Sequence, residues 1–166
     1  MSLTKKISDK KVNFEFNKEF INLFNKKIKD NDTNFLNRTL KELHPSDSAD
    51  IIENLIPENR LKLIELEGFN LDPEIFIELN ESIQSEVLQL LSEDSIAKII
   101  KRLESDDSLK ILENLESDKK NLVMDKLSPK DRFLLEEGLS FPEDSAARIM
   151  QREFTAVPSN WTVGQT

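Results

Sequence analysis

Several residue types that build common functional sites are missing or scarce in this chain of 166 residues. It has no cysteine, so it forms neither a disulfide framework nor a thiolate metal site, which fits a reducing compartment. Only three glycines are present, and none lies in a phosphate-binding loop. Tyrosine is absent, and the single histidine, His44, is expected to be structural or solvated. The chain is therefore predicted not to be an enzyme.

Long apolar runs and strand-like alternation are absent as well. No stretch approaches the roughly 18 apolar residues that span a bilayer, and no signal peptide opens the chain. Period-two alternation is nearly absent before residue 150, so strands are not expected there. The net charge is +4 over residues 1–40 and −13 over residues 41–166. An acidic body repels nucleic acid and anionic membrane. We expect a soluble fragment with no nucleic-acid partner and no direct membrane insertion.

A leucine recurs every twelve residues through most of the chain. Two apolar residues stand four and three places before it, as Ile51-Ile52 does before Leu55. Glu67 alone interrupts the series, and its apolar pair is still present. Self-similarity at a fixed spacing indicates a stacked array of repeats. The recurring leucines are Leu43, Leu55, Leu79, Leu91, Leu103, Leu115, Leu127 and Leu139.

The repeat cannot be one continuous helix, because twelve residues at roughly 100° each overshoot whole turns by about 120°. Short polar segments rich in Ser, Asp, Asn and Pro follow the leucines, and these residues favour helix N-termini. Each repeat is thus predicted to be a helix of about eight residues and a loop of about four. The predicted fold is all-α, a right-handed superhelix of short antiparallel helices over residues 38–140.

Residues 1–37 are predicted to form an N-terminal arm with an amphipathic helix. Lysines occupy one side of this helix, and an aromatic stripe at four-residue spacing occupies another, formed by Phe16, Phe20 and Phe24. The stripe is either an anchor for a partner or membrane surface, or the face of an extra helix packed on the first repeats. The loop at 29–33 has the composition of a calcium loop but lacks its glycine and terminal glutamate, so a helix cap is expected.

The repeat pattern ends near residue 140, and residues 141–166 are predicted to be a linker and the truncated start of another domain. The chain reads LHPSDSADIIENL at 43–55 and PEDSAARIM at 142–150, and a short β-type stretch with a polar turn follows at 154–163. Together with the repeats, these segments resemble the cytosolic N-terminal region of MgtE-type magnesium transporters. The resemblance covers residues 38–166, and the last residues resemble the start of the CBS pair that follows in this family.

This resemblance implies a function. Such proteins are homodimeric Mg²⁺ channels or transporters, and their N-terminal and CBS domains lie on the cytoplasmic side of the inner membrane. The resemblance makes this chain a regulatory domain that senses Mg²⁺ and controls gating. Its partners are then the CBS domains of the same protein, and its cofactor is Mg²⁺, which bridges acidic faces of the two. The ion suits such faces, because it prefers oxygen ligands and needs only one or two carboxylates.

The resemblance also suggests which acidic residues bind the ion. The loop at 91–97 resembles a family loop that contributes a ligand, although Lys98 stands where the family can carry a second acid. In the linker, Ala147 stands where the family often has glycine, which puts a backbone ligand there in doubt. Each acidic candidate is otherwise a helix cap or a solvated charge. The candidate metal ligands are Asp94, Asp106, Asp107, Glu143 and Asp144.

Two other functions stay open from the sequence. The first is an armadillo-like protein-interaction module, similar to the helical superhelix of flagellar motor switch proteins. The second is an enzyme with a site in the superhelical groove, which needs catalytic groups that converge. Neighbouring carboxylates such as Asp106 and Asp107 diverge by roughly 100° on a helix, so they do not form an acid–base pair by adjacency.

Overall fold

The computed structural model describes residues 18–67, 70–152, 157–158, 160–162 and 164. These residues form ten α-helices and no strand, which confirms the all-α prediction. Phe16 and half of the stretch at 154–163 assigned to the next domain lie outside the described residues. The helices are α1 Lys18–Lys29, α2 Thr33–Glu42, α3 Pro45–Asn54, α4 Pro57–Glu67, α5 Pro73–Glu78, α6 Glu81–Leu90, α7 Glu93–Ile100, α8 Ser105–Glu113, α9 Ser117–Asp125 and α10 Pro129–Ser140.

The recurring leucines stand between two consecutive helices, except Leu139, which lies in α10. Leu43, Leu55, Leu79 and Leu91 are the C-terminal cap residues of α2, α3, α5 and α6. The helices from α3 to α10 range from 6 to 12 residues. The connection between α3 and α4 consists of Leu55 and Ile56 alone. The twelve-residue period is therefore real, but several helices are longer and their connections shorter than the sequence predicts.

Polar side chains start these short helices by accepting hydrogen bonds from otherwise unpaired first-turn amides. Ser92 and Ser128 accept from the third residue after them, at the starts of α7 and α10. His44 does the same for α3, since its Nδ1 lies 3.3 Å from the backbone nitrogen of Ser46. The single histidine thus has a structural role, one of the two that the sequence leaves open.

Helices two apart in the chain pack together: α3 on α5, α4 on α6, α7 on α9 and α8 on α10. The apolar pairs of the repeats form one shared core, in which Ile51, Ile99 and Leu112 are at most 1% exposed. Helices this short are not stable alone, so burial of this face against neighbours stabilises them. The right-handed sense of the superhelix stays a prediction.

The helix of the N-terminal arm, α1, packs on α2 and α4. Phe24 and Ile28 are completely buried, and the Phe24 and Phe35 ring centroids lie 6.1 Å apart. The following loop caps α2, because Asp32 accepts hydrogen bonds from the Phe35 amide at 3.1 Å and from Lys27 Nζ at 2.6 Å. These bonds, the one from Lys27 first, lower the pKa of Asp32. The described part of the aromatic stripe is therefore core.

Four buried polar side chains, which the sequence pattern did not reveal, each tie a helix to the one before it. Each of them stands five residues after a repeat leucine and donates to the carbonyl eight residues before it, in the last turn of the preceding helix. Carbonyls in that turn have no intrahelical partner, so these donors act as C-terminal caps. The pairs are Ser48 with Leu40 at 3.5 Å, Arg60 with Ile52 at 3.1 Å, Gln84 with Phe76 at 2.6 Å and Ser108 with Ile100 at 3.2 Å.

Candidate functional site

A cavity of about 190 Å³ lies between α8 and the non-helical segment that follows α10. It brings together Asp106 and Glu143, two of the five predicted ligands, from distant parts of the chain. Three carboxylates, two basic groups and two aliphatic side chains form its walls. The lining residues are Asp106, Leu109, Lys110, Glu113, Glu143, Arg148 and Ile149.

Asp106 is held at the pocket by the start of α8, where it lies in the first turn. Its Oδ1 atom is buried and accepts no hydrogen bond, the one side-chain atom in this state among the described residues. Leaving a buried acceptor unpaired costs on the order of 1–3 kcal/mol, and more if it is charged. The positive end of the α8 dipole offsets part of this cost. A cation or a hydrogen-bond donor at this point would therefore be stabilised.

The two basic groups of the pocket are engaged by other carboxylates. Lys110 Nζ lies 2.8 Å from Asp107 Oδ1, and this hydrogen bond raises the pKa of Lys110 against the opposing effect of its burial. Arg148 pairs with Glu113 at 2.6 Å. Neither basic group forms a hydrogen bond with Asp106 Oδ1. Lys110 therefore acts on Asp106 through charge alone, and the Oδ1 atom keeps no hydrogen-bond donor.

The pocket's second wall, segment 141–152, is fixed to the helices by arginine side chains. Arg148 donates through Nε to Glu113 at 2.7 Å and through Nη1 to the Gly138 carbonyl at 2.8 Å. The backbone N–H of Arg152 donates to Ser105 Oγ at 3.0 Å. These bonds join the segment to the end of α10 and to both ends of α8, and so they hold the pocket together.

The other predicted ligands lie elsewhere. Asp94, at the start of α7, has a side chain 66% exposed and pairs with Lys126 at 3.3 Å. Asp144 is exposed and, like Asp94, does not line the pocket, whereas Asp107 lies beside it through its bond to Lys110. Nowhere in the part of the chain that the structure describes do three His, Cys, Asp or Glu residues form a metal-binding group. Of the three carboxylates that line the pocket, Glu113 pairs with Arg148, so Asp106 and Glu143 are the candidate ligands there.

None of the described helices combines the length and the apolar composition that crossing a bilayer requires.

Comparison with known proteins identifies relatives of this fold. Comparison with the curated proteins finds no match. The soluble part of a magnesium transporter is 20% identical with a TM-score of 0.71, and the match covers 86% of this chain and 56% of that one. The cytosolic domain of the Mg²⁺ channel MgtE in complex with ATP is 27% identical with a TM-score of 0.67, covering 81% of this chain and 55% of that one.

The chain therefore spans little more than half the length of these two structures. The first likeness shows the fold alone. A family model, the MgtE intracellular N domain, matches residues 43–144, which contain α3 to α10 and all three carboxylates of the pocket. The match favours the transporter hypothesis over the flagellar alternative. Because the matched residues make up most of the helical array, this chain belongs to the family of MgtE intracellular N domains.

Proposed function

We propose that this chain is a Mg²⁺-responsive regulatory domain of a magnesium transporter or channel. Family membership supports the transporter assignment, and two similar structures are described as parts of a magnesium transporter and of a Mg²⁺ channel. The observation that carries the sensing role is the buried, unpaired Oδ1 of Asp106 in a pocket that also contains Glu143.

The chemistry of the pocket fits Mg²⁺. The ion prefers oxygen ligands, keeps several waters and binds through one or two carboxylates, so Asp106 and Glu143 are sufficient. A bound ion would give Asp106 Oδ1 a direct partner, since Lys110 acts on Asp106 through charge and not through a hydrogen bond to this atom. Lys110 and Arg148 stay with Asp107 and Glu113, so the pocket's own cations do not neutralise Asp106 through a hydrogen bond.

The acidic surface can regulate transport if it faces another domain. We propose that this opposing domain is formed by the CBS domains of the same protein, in a homodimeric transporter, on the cytoplasmic side of the membrane. Ions shared between two domains bind preferentially to the arrangement in which the domains are close, so plentiful Mg²⁺ favours it and scarce Mg²⁺ releases it.

Asp94, Asp107 and Asp144 are proposed as ligands on this shared surface. Asp94 is available for this role, because an ion pair as exposed as the one with Lys126 contributes little and is easily exchanged. Asp144 is exposed, and Asp107 lies beside the pocket.

The test is an amide-resolved NMR titration of the chain with MgCl₂ against KCl of equal ionic strength. We expect saturable shifts near residues 106–110 and 143–149 with MgCl₂ only, lost in Asp106→Asn and in Glu143→Gln. Asp125→Asn is the matched control, because Asp125 is an exposed carboxylate paired with Arg132. Equal shifts in both salts would show screening alone and would refute a site in this chain.

A further inference from the structure

The last two helices, α9 and α10, differ from the other repeats in what they expose. One repeat position lies six residues before each leucine, and in α4 six residues before Glu67. This position is buried or half-buried in every helix from α2 to α8, and it is exposed in α9 and α10. The residues at this position are Asn37, Ala49, Leu61, Pro73, Ser85, Ala97, Leu109, Asn121 and Phe133.

Leu109 of α8 shows what covers this position inside the array. It is 2% exposed, and α10 packs against it so closely that a Cβ atom at Gly138 would lie 2.6 Å from Leu109 Cδ1. Phe133 occupies the same repeat position in α10 but is 65% exposed, because no helix follows α10 among the described residues. At this end of the array, α10 therefore presents an uncovered phenyl ring.

A second repeat position changes its character in the same two helices. The residue five places before the leucine is charged in every helix from α2 to α8, and it is leucine in α9 and α10. Leu122 is 52% exposed, so burial in the core does not explain its apolar side chain. Terminal repeats of such arrays normally carry a polar outer face. Apolar residues here therefore indicate a surface that another molecule covers. The residues at this position are Arg38, Asp50, Lys62, Glu74, Glu86, Lys98, Lys110, Leu122 and Leu134.

Leu122 and Phe133 belong to one surface, termed the end face, on the exposed sides of α9 and α10. Asp125 of α9 pairs with Arg132 of α10 at 2.7 Å, and both of these side chains are exposed. Leu122 lies one turn before Asp125 on the same side of α9, and Phe133 directly follows Arg132. The end face therefore combines two exposed apolar side chains with an exposed ion pair between them.

The charges along α10 indicate which partner fits the end face. Lys130, Phe133 and Glu137 lie at i, i+3 and i+7, so they share one side of the helix, and all three are exposed. Glu137 pairs with Arg152 across 3.9 Å, which is too long for a strong bond. If a second α10 lies antiparallel on the first, Lys130 of each copy faces Glu137 of the other, and the two Phe133 rings meet near the centre. A face that is complementary to itself in this way fits a second copy of the same chain.

We propose that two copies of this chain associate through their end faces, with the two α10 helices antiparallel about a two-fold axis near Phe133. The contact goes beyond the proposed function, because it joins the helical domains directly and requires no metal ion. Removal of the Phe133 rings from water drives the association, and the two symmetric pairs of opposite charge fix its register.

This association is weak, because two helices of 12 residues bury less surface than a standard protein interface. We expect a dissociation constant of roughly 0.1–1 mM. A contact of this strength is populated where two copies are held in one assembly, because effective concentrations there reach the millimolar range.

The experiment measures association of the whole chain by sedimentation velocity and amide NMR, at protein concentrations below and above this dissociation constant. A chelator replaces Mg²⁺ throughout. The unmodified chain should sediment faster as its concentration rises, and the amides that shift should lie in α9 and α10. Phe133→Ala should weaken association about tenfold or more, since it removes the central aromatic anchor. Leu90→Ala is the matched control and should leave association unchanged, because Leu90 is 47% exposed but lies in α6.

Charge reversal tests the antiparallel register. Lys130→Glu and Glu137→Lys each place like charges opposite each other when the variant pairs with itself, so each variant alone should associate more weakly than the unmodified chain. An equimolar mixture of the two variants restores both pairs of opposite charge, so it should associate more strongly than either variant alone. All the substituted side chains are exposed, and circular dichroism checks that the variants keep their helices.

Three results would overturn the proposal. The first is a chain that stays monomeric at the highest concentration, which would assign the end face to a different molecule. The second is association that persists unchanged in Phe133→Ala, and the third is a mixture that associates no more strongly than its components. Because no Mg²⁺ is present, none of these results bears on the proposed metal site, which the MgCl₂ titration tests separately.

Discussion

Arg60 offers the sharpest test of how neighbouring repeats are held together. It lies in α4 with its side chain 6% exposed, and its guanidinium donates to three carbonyls at the end of α3. A fourth contact joins Nη1 to Glu86 Oε2 of α6 at 2.7 Å. Arg60→Met retains an apolar stem of similar volume and removes all four contacts. The substitution therefore isolates the polar ties between α3, α4 and α6.

The expected loss is about 3 kcal/mol. Hydrogen bonds from a charged donor contribute roughly 1.5–3 kcal/mol each, but they are not additive, and breaking a buried charged network costs about 3–5 kcal/mol. The lower figure applies because the Glu86 side chain is 35% exposed and water can solvate it. The Ile52 carbonyl also keeps a bond from the Leu55 amide at 3.3 Å. At roughly 2–4 °C per kcal/mol, the melting temperature should fall by about 6–12 °C.

Urea unfolding followed by helical circular dichroism measures this loss, with an unchanged m-value as the check for two-state behaviour. Glu86→Gln removes only the ion pair, whose carboxylate is 35% exposed, and should cost less than about 1 kcal/mol. Arg38→Met is the matched control, because its side chain is 68% exposed and should contribute less than about 0.5 kcal/mol. If Arg60→Met cost no more than Arg38→Met, or if Glu86→Gln reproduced the whole loss, capping of α3 by Arg60 would be refuted.

Three further predictions concern the rest of the fold. Lys119→Met should lower the free energy of unfolding by about 1–3 kcal/mol in urea titrations, because Lys119 Nζ lies within 2.9 Å of three carbonyls at the end of α6. Leu109→Ala should cost about 2–5 kcal/mol and Leu122→Ala less than about 0.5 kcal/mol in the same assay, since they are 2% and 52% exposed; equal losses would contradict the core assignment. The lowered pKa of Asp32 means that its charged form stabilises the fold above its ordinary pKa and that this contribution disappears as pH falls through the lowered value. The stability difference between the unmodified chain and Asp32→Asn should therefore shrink between about pH 7 and about pH 3, and a constant difference would argue against the bond to Lys27.

The repeat architecture was predictable because its signal is repeated and local. Leucines at a fixed spacing, apolar pairs before them and capping residues after them all depend on neighbours within one or two turns. The donors Ser48, Arg60, Gln84 and Ser108 also stand at a fixed distance from the leucines. They belong to three residue types, however, so the pattern becomes visible only in the structure, where each of them donates to a carbonyl.

The burial of Glu67 is a feature that the local sequence does not predict. The sequence marks it as the residue that interrupts the leucine series, and a glutamate there suggests an exposed position. The structure buries it to 3% exposed, and Asn37 Nδ2 donates to its carboxylate at 2.7 Å. A partner thirty residues away satisfies the polar group and makes burial tolerable. Nothing in the spacing of the chain identifies that partner.

The candidate site was predictable only in part, because its contacts also join residues that are far apart in the chain. Its acidic residues came from the family resemblance, and the structure brings Asp106 and Glu143 into one pocket. The pairings of Arg148 with Glu113 and of Asp94 with Lys126 depend on tertiary packing. A chain with this many charged residues offers each of them many partners of opposite charge. The sequence also could not show that Asp106 keeps a buried oxygen without a partner.

The most direct test of the central claim uses Mn²⁺, which shares the oxygen-ligand preference of Mg²⁺ and broadens nearby NMR signals. Added to the chain well below one equivalent, Mn²⁺ should broaden the amides of Asp106, Lys110 and Glu143 first, and excess MgCl₂ should restore them. Asp106→Asn should remove the effect. Broadening that is strongest at Asp94, or that spreads evenly over the exposed carboxylates, would contradict a Mg²⁺ site in this pocket.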